Sequence, residues 1–389
     1  MRECQGHRLP ATVHQIWLGG SATDERWDWV LSLASVLLIL RPRRHLLHYD
    51  AELPRCARVL ATPVHVVPPT AIYGRKLVRA VVRSDVLRLQ LLLEHGGLYM
   101  DNDVFAVRPL DELRRRCLRS PLYAGIESRC TQVVRRPPGG VLCDDDPRAE
   151  SYRPPTPRKV LTPDRAPNAT YAGWPAASRA DVARAQAAVD AAGGHAVLNN
   201  GVLLAAPNST FVHVWLQTYR ELEVDPRLPK DGMFWSGSLP WRLALALPGL
   251  LSLRPALAPL PWRTAEQCQA HMRVASLWHV TGMSARTFRR NTLVQWGAMR
   301  AILAEVEAAL AAAKAAAAGG SAKVTTQMPS EGGGDRNDED GGDAPPVPFL
   351  DAQQIACVEQ AVMRMRLKYC GGGGAGMRCP QPGHQEGAY

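Results

Sequence analysis

The sequence predicts an α/β protein: a mostly parallel sheet with helices on its faces. Two observations point there. Short β-branched runs alternate with longer Leu- and Val-rich stretches through the first 107 residues, which is the rhythm of strand–helix–strand units. The first four strand-like runs also close on Gly, Asp or Pro, whereas the longest helical run, Val78 to His95, stops at Gly96-Gly97, a helix end followed at once by a new strand.

Taken in order, Thr12 to Leu18 reads as a first strand entering Gly19-Gly20, and residues 25–40 as a helix. His45 to Tyr49 is a second strand, ending at Asp50, and Val64 to Val67 a third, closed by Pro68-Pro69. Val78 to His95 is a long helix, Leu98 to Met100 a strand running into Asp101-Asn102-Asp103, and Val104 to Val107 the strand that leaves it. Residues 128–180 are rich in Pro, Arg and Asp without periodicity, which predicts a surface insertion. Val197 to Ala206 resumes a strand, Phe211 to Glu223 and 231–247 read as helices, and Val274 to Val280 as a late strand. Residues 301–318 form an Ala-rich helix. These features place one domain over 1–315, a disordered Gly-, Asp- and Pro-rich linker over 316–348, and a C-terminal helix with a Gly-rich tail over 349–389.

Charge divides the chain. The net is +10 overall, but residues 301–389 carry 7 Lys+Arg and 11 Asp+Glu, which leaves +14 on residues 1–300. A basic body suits an anionic ligand. It shows no basic stripe with interleaved aromatics, so a nucleic-acid partner is not expected. The nine cysteines have no CxxC pair, which argues against a structural zinc site, and their odd number leaves at least one thiol without an internal partner. Asn168-Ala169-Thr170 and Asn208-Ser209-Thr210 fit the N-glycosylation triplet and favour a lumenal compartment. The longest apolar run, Trp29 to Leu40, is too short to span a bilayer, so membrane association is expected only through an anchor not seen in this sequence.

The sharpest chemical feature is Asp101-Asn102-Asp103. Two carboxylates at i and i+2, where a strand breaks open, can reach one divalent cation, and hard oxygen donors suit Mn²⁺ or Mg²⁺. An isolated turn of this composition would be only polar. Its surroundings are Ser84-Asp85-Val86-Leu87-Arg88, a leucine-rich helix, then Gly96-Gly97-Leu98-Tyr99-Met100-Asp101-Asn102-Asp103-Val104. This pattern resembles the family 32 glycosyltransferases, described by a sugar-binding region containing a DXD motif, and the clostridial glucosylating toxins share the arrangement. Val13-His14-Gln15-Ile16-Trp17-Leu18-Gly19 resembles the family's opening strand, and Asn199-Asn200-Gly201-Val202 its third block. The resemblance spans roughly residues 9–300. It implies a GT-A-like nucleotide-binding domain, a bound divalent metal and transfer with retention.

Residue by residue, Asp101 and Asp103 are expected as metal ligands and catalytic groups, with Asn102 beside the donor. Asp85 and Arg88 lie one helical turn apart on a helix that leads to this loop. There, Arg88 can grip phosphate or sugar oxygens and Asp85 can accept from hydroxyls. The resemblance places Trp17 against the nucleotide base and makes His279 a further metal ligand; the tryptophan common shortly after that histidine is replaced here by Met283-Ser284-Ala285-Arg286. Asn199 and Asn200 are candidates for bonding the sugar or acceptor, with turn-capping as the competing role.

The reading that follows is a metal-dependent hexosyltransferase taking a nucleotide-sugar donor to a hydroxyl of a glycan or lipid. The expected place is the Golgi or another secretory lumen, with the cytoplasm as the alternative. The rival activities are a non-catalytic carbohydrate-binding protein on the same fold and a metal-dependent phosphoryl-transfer enzyme.

Overall fold

A computed structural model describes residues 6–19, 26–128, 196–219, 250–253, 276–279, 292–319 and 350–370, with six single residues between 236 and 257. The chain opens with β1 (His7–Arg8) and β2 (Thr12–Trp17), then α1 (Trp27–Ser35), which closes in a π-helical turn at Val36–Leu40. β3 (Arg44–Tyr49), α2 (Arg55–Leu60) and β4 (Thr62–His65) follow, and a small hairpin, β5 (Ala71–Ile72) with β6 (Arg75–Lys76), leads to α3 (Ala80–His95). Next come β7 (Gly97–Met100), β8 (Val104–Ala106), α4 (Asp111–Arg115), β9 (Cys117–Leu118) and β10 (Leu122–Ser128). The remaining elements are β11 (Ala196–Ala205), α5 (Thr210–Thr218), β12 (Leu251–Leu253), β13 (Leu277–His279), α6 (Thr292–Gly319) and α7 (Ala352–Cys370).

Seven strands form the central sheet in the order β12-β10-β11-β7-β2-β3-β4. β2 pairs in parallel with β3 and β7, β3 with β4, and β10 with β12; only β11 runs against its neighbours. This is the α/β class with a mostly parallel sheet that the sequence predicts. Strand alternation sends side chains to two cores. Leu98, Met100, Val202 and Leu204 enter one, with Trp29, Leu33, Val306 and Val358 from α1, α6 and α7. Tyr99, Leu203 and Ala205 enter the other, with Leu89, Leu92, Phe211 and Trp215 from α3 and α5. Fully burying each such side chain stabilises the fold by about 1.5–3 kcal/mol relative to exposure.

The turn between α3 and β7 requires two glycines. Gly96 has φ +64° and Gly97 φ +101°; a Cβ on the first would stand 2.5 Å from Pro207 Cδ and on the second 2.6 Å from the Thr12 carbonyl oxygen. The backbone of β7 therefore enters the sheet where no side chain fits, which fixes where Asp101 emerges.

The structure departs from the sequence reading in three places. β10 lies inside the sheet, although its run, interrupted by Gly125, carries little strand signal. The terminal helix is longer than its alanine tract: α6 begins at Thr292 and runs unbroken to Gly319, across the expected boundary at 315. Most consequentially, α7 belongs to the body. Leu350, Cys357, Val358, Ala361, Val362 and Met365 are buried in the first core, Arg366 pairs with Glu307 at 2.5 Å, and a disulfide joins Cys56 of α2 to Cys357. Asp351 and Gln354 cap α7 reciprocally, each side chain bonding the other's backbone N–H at 2.8 and 3.2 Å. The expected linker from 320, the 128–180 insertion beyond Ser128 and most of the helix at 231–247 lie outside the described residues.

Candidate active site

In an open sheet of this kind, ligands bind beyond the carboxyl ends of the parallel strands. β2 ends there at Trp17, β3 at Tyr49 and β7 at Met100, so Asp101 steps off the sheet at that edge. β11, coming the other way, widens at the same level. Its pairing with β10 jumps from Leu203↔Ala124 to Asn199↔Gly125, so Asn200, Gly201 and Val202 have no partner in β10. A bulge of this kind re-aims backbone groups. Here the Gly201 carbonyl accepts from Asp101 N–H at 2.8 Å, and the Asn200 carbonyl accepts from Arg88 Nη1 at 2.6 Å.

Arg88 is the centre of the constellation. Its guanidinium pairs with Asp85 Oδ1 at 2.9 Å through Nη2 and with Asp101 Oδ1 at 3.3 Å through Nη1, and it lies 4.5 Å from the centre of the Tyr99 ring. Tyr99 donates its hydroxyl to the same Asp101 oxygen at 2.5 Å, and Asn200 Nδ2 donates to Asp85 Oδ1 at 3.2 Å. Asp85 and Arg88 are both buried, and Asp101 keeps 26% of its side chain exposed. Arg88 therefore spends its fork on two carboxylates of its own chain and not on the donor that the sequence predicts for it.

Burial and charge set the protonation states. Desolvation pushes the Asp85 carboxyl up to about 6, against the pull of Arg88 and with a further push from Asp101. Burial opposes the charge on Arg88, but Asp101, Tyr99 and Asp85 together hold it firmly protonated. Tyr99 and Tyr219 are raised well above the ordinary phenol value, chiefly by burial. The sequence pattern does not single out either tyrosine as functional. For Tyr99 the signal was present, because it sits two residues before Asp101 and so shares its side of an extended chain.

The other expected residues fall as follows. Asn102 donates from Nδ2 to the Ile16 carbonyl at 2.7 Å, tying the loop to β2, while its buried Oδ1 has no hydrogen-bond partner among the described residues. Asn199 is 2% exposed and accepts from Gly201 N–H at 2.8 Å, so its amide oxygen shapes the bulge, the turn-capping role. Trp17 stacks on Trp29 with ring centres 4.1 Å apart and planes 6° from parallel, which commits one face of the indole to the core; the side chain is only partly buried. The Gly19 N–H beyond it is held by Asp50 at 2.8 Å. His279 ends β13 with its backbone opposite Val104, one residue past Asp103; its side chain lies outside the described ones.

Among the described residues β8 pairs only with β13, and α1 supplies part of what a strand would on its other side. Ser32 donates to the Val104 carbonyl at 2.6 Å and Ser35 accepts from Ala106 N–H at 2.9 Å. Behind Ser32 stand Gln15 at 3.1 Å and His45, 2.8 Å from Gln15. This buried chain holds the strand that leaves the Asp-Asn-Asp loop.

Asp101 Oδ1 is taken by Tyr99 and Arg88, which leaves its second oxygen, and Asp103 stands two residues on at the same opening. Carboxylate oxygens of this kind fit Mn²⁺ or Mg²⁺. Among the described residues no group of three His, Cys, Asp or Glu side chains converges to hold a metal by itself.

Residues 67–118 match the family model described as glycosyltransferase sugar-binding region containing DXD motif. The chain is similar to Glucan organizing enzyme 1 of Cryptococcus neoformans var. grubii, 24% identical over 284 residues, which is 69% of this chain; it spans 58% of that relative's length. Among solved structures, the galactosyltransferase LgtC is 13% identical over 76% of this chain and 95% of its own, with a TM-score of 0.37. The PaToxG glycosyltransferase is 13% identical over 62% and 71%, with a TM-score of 0.30. The residues that match this model hold α3, β7 and the Asp-Asn-Asp loop.

Proposed function

We propose that this enzyme moves a hexose from a nucleotide-sugar to a hydroxyl of a glycan or lipid acceptor, with retention, using a divalent metal. The observation that carries the reading is the network converging on Asp101. Tyr99 and Arg88 fix one of its oxygens, and the bulge of β11 fixes its backbone, so the loop is held before any ligand arrives. Positioning of this kind matters because a fixed charge is not reorganised during the reaction. Asp101 and Asp103, with His279 a candidate third ligand, would hold Mn²⁺ or Mg²⁺, which supplies charge stabilisation for the departing nucleotide diphosphate. Asp85 and Asn200, joined at 3.2 Å, form the wall on which sugar hydroxyls can be read, and Asn102 offers its buried amide oxygen. Trp17 presents its remaining face to the base.

The disulfide between α2 and α7 supports a secretory lumen, since such bonds persist in oxidising compartments. The test of the activity is donor hydrolysis and transfer with a panel of nucleotide-sugars and Mn²⁺. Asp101→Asn and Asp103→Asn are each expected to cut turnover by at least about a hundredfold, with circular dichroism unchanged. Wild-type turnover in either variant refutes the metal role.

A further inference from the structure

Among the described residues, four of the six exposed large apolar side chains fall within one short segment. Val67 is 85% exposed, Tyr73 43%, Val78 73% and Val81 63%. The segment is not loosely held. Ile72 and Leu77 are buried in the second core, Leu77 N–H bonds the Thr70 carbonyl at 2.7 Å, and Arg83 Nε donates to the Leu77 carbonyl at 2.9 Å. One set of side chains anchors the hairpin, while Val67, Val78 and Val81 are turned out to water. The hairpin tip is Tyr73-Gly74, with φ of +49° and +78°. That is the two-residue turn whose central positions both lie at positive φ, and tyrosine is an unusual choice there.

The charge of the segment has one sign. Residues 66–84 contain Arg75, Lys76, Arg79 and Arg83 and no Asp or Glu, and Lys76 and Arg79 are exposed. The segment also leaves the sheet at a defined edge. It follows β4, which runs parallel to β3, so it departs from the same side as Trp17 and Asp101.

We propose that Val66–Arg83 is a membrane-contact surface, with Tyr73 and the exposed valines seated among lipid headgroups and Lys76 and Arg79 against anionic phosphates. Aromatic and aliphatic side chains interleaved with cations, presented together, suit a negatively charged bilayer. Exposed apolar side chains gathered in one segment beside cations suit an interaction surface. No helix among the described residues is long and apolar enough to cross a membrane, so the contact is peripheral. Resting on the glycosyl-transfer reading, the consequence is that the edge carrying Asp101 faces the bilayer and the acceptor hydroxyl is presented by a membrane-bound molecule.

The experiment is co-sedimentation of the full chain with vesicles of phosphatidylcholine alone and with phosphatidylserine added. Wild type is expected to bind the anionic vesicles and to release with salt. Lys76→Glu with Arg79→Glu should weaken binding by at least about fivefold per charge. Val78→Ser with Val81→Ser should weaken it about tenfold through lost apolar burial. Circular dichroism and the melting temperature should be the same in both variants as in wild type, which shows that they are folded. The proposal is overturned if wild type stays in solution, if both vesicle types bind equally, or if the variants bind like wild type. A change of molecular mass in the variants without a change in vesicle binding assigns the patch to a second copy and overturns it equally. Vesicle binding without turnover of any donor refutes the catalytic reading and leaves the membrane contact standing.

Discussion

At the scale of single residues, Arg88 decides how the site works. It is buried, bonds two carboxylates and a carbonyl, and covers the ring that orients Asp101. Lysine keeps the charge but not the fork. Arg88→Lys is therefore expected to lose on the order of a hundredfold in turnover under saturating donor and metal, with a moderate loss of thermal stability. Arg88→Ala leaves Asp85 buried without its partner and should cost about 3–5 kcal/mol of stability, seen as a much lower melting temperature. Near-normal turnover of the lysine variant would show that Asp101 does not depend on Arg88. Asp85 gives the site a pH signature. Its carboxyl is raised to about 6, so the charged form that Arg88 and Asn200 bind is populated above that value and lost below it. Turnover should fall on the acid side with an apparent pKa near 6, and Asp85→Asn should remove that limb along with most of the activity; a profile flat from pH 7 to 5 contradicts the assignment.

At the scale of elements, the sequence made plain those that carry their own pattern. α3 announces itself by sixteen residues without Gly or Pro and by the Gly-Gly that ends it, and β7 by the break into Asp101. Asp101 and Arg88 were legible because their spacing on a strand end and a helix is local. The partners that give them their roles were not, since Asn200 and Tyr219 reach Arg88, and Gly201 reaches Asp101, only through pairing of distant segments. α7 shows the same limit. An acidic, Gly-rich stretch separates it from the body in the sequence, yet its apolar face completes the packing of α1, α2 and α6. Composition describes the stretch, and long-range burial decides the helix. Residues 320–389, read from composition, would be dispensable; the structure predicts the opposite. Truncation after Gly319 removes six buried side chains and one disulfide. It is expected to abolish a cooperative melting transition, with loss of turnover as a consequence. Cys357→Ser removes the crosslink alone and should cost about 2–4 kcal/mol without changing turnover at low temperature. A truncated chain that melts like the full one would place α7 outside the core.

At the scale of the whole molecule, the sheet is bound together by buried polar groups whose state depends on pH. His14, on β2, sits at 3.0 Å from His48 of β3 and 3.0 Å from the Gly96 carbonyl, and stacks between His48 and His95. The carbonyl can only accept, so His14 carries its proton on Nε2 and accepts from His48 through Nδ1. A second proton on His14 would set two N–H groups against each other. His45 donates to Gln15 and so continues the chain that supports Val104. Burial lowers His14 to about 4 and His45 and His48 to about 3, with the neighbouring histidines adding to the effect. The unfolded chain binds these protons near pH 6.5 and the folded chain does not, so stability is full above about 6.5 and falls as pH drops toward the folded values. Each histidine contributes a slope of up to about 1.4 kcal/mol per pH unit in that window. Asp85 works the other way, because its raised carboxyl takes up a proton in the folded state below about 6 and is partly relieved of a buried charge. Three groups oppose one, and the remaining ordinary carboxylates do not titrate in the unfolded chain until about pH 4. The melting temperature should therefore decline steadily from pH 6.5 to 5, well before general acid denaturation. His48→Gln, which keeps an amide donor toward His14 and cannot take up a proton, is expected to flatten the decline by about half. A melting temperature independent of pH over that interval would mean that these histidines are protonated without penalty, and that the hydrogen bond from His48 to His14 is not the contact that joins β2 to β3 at its core.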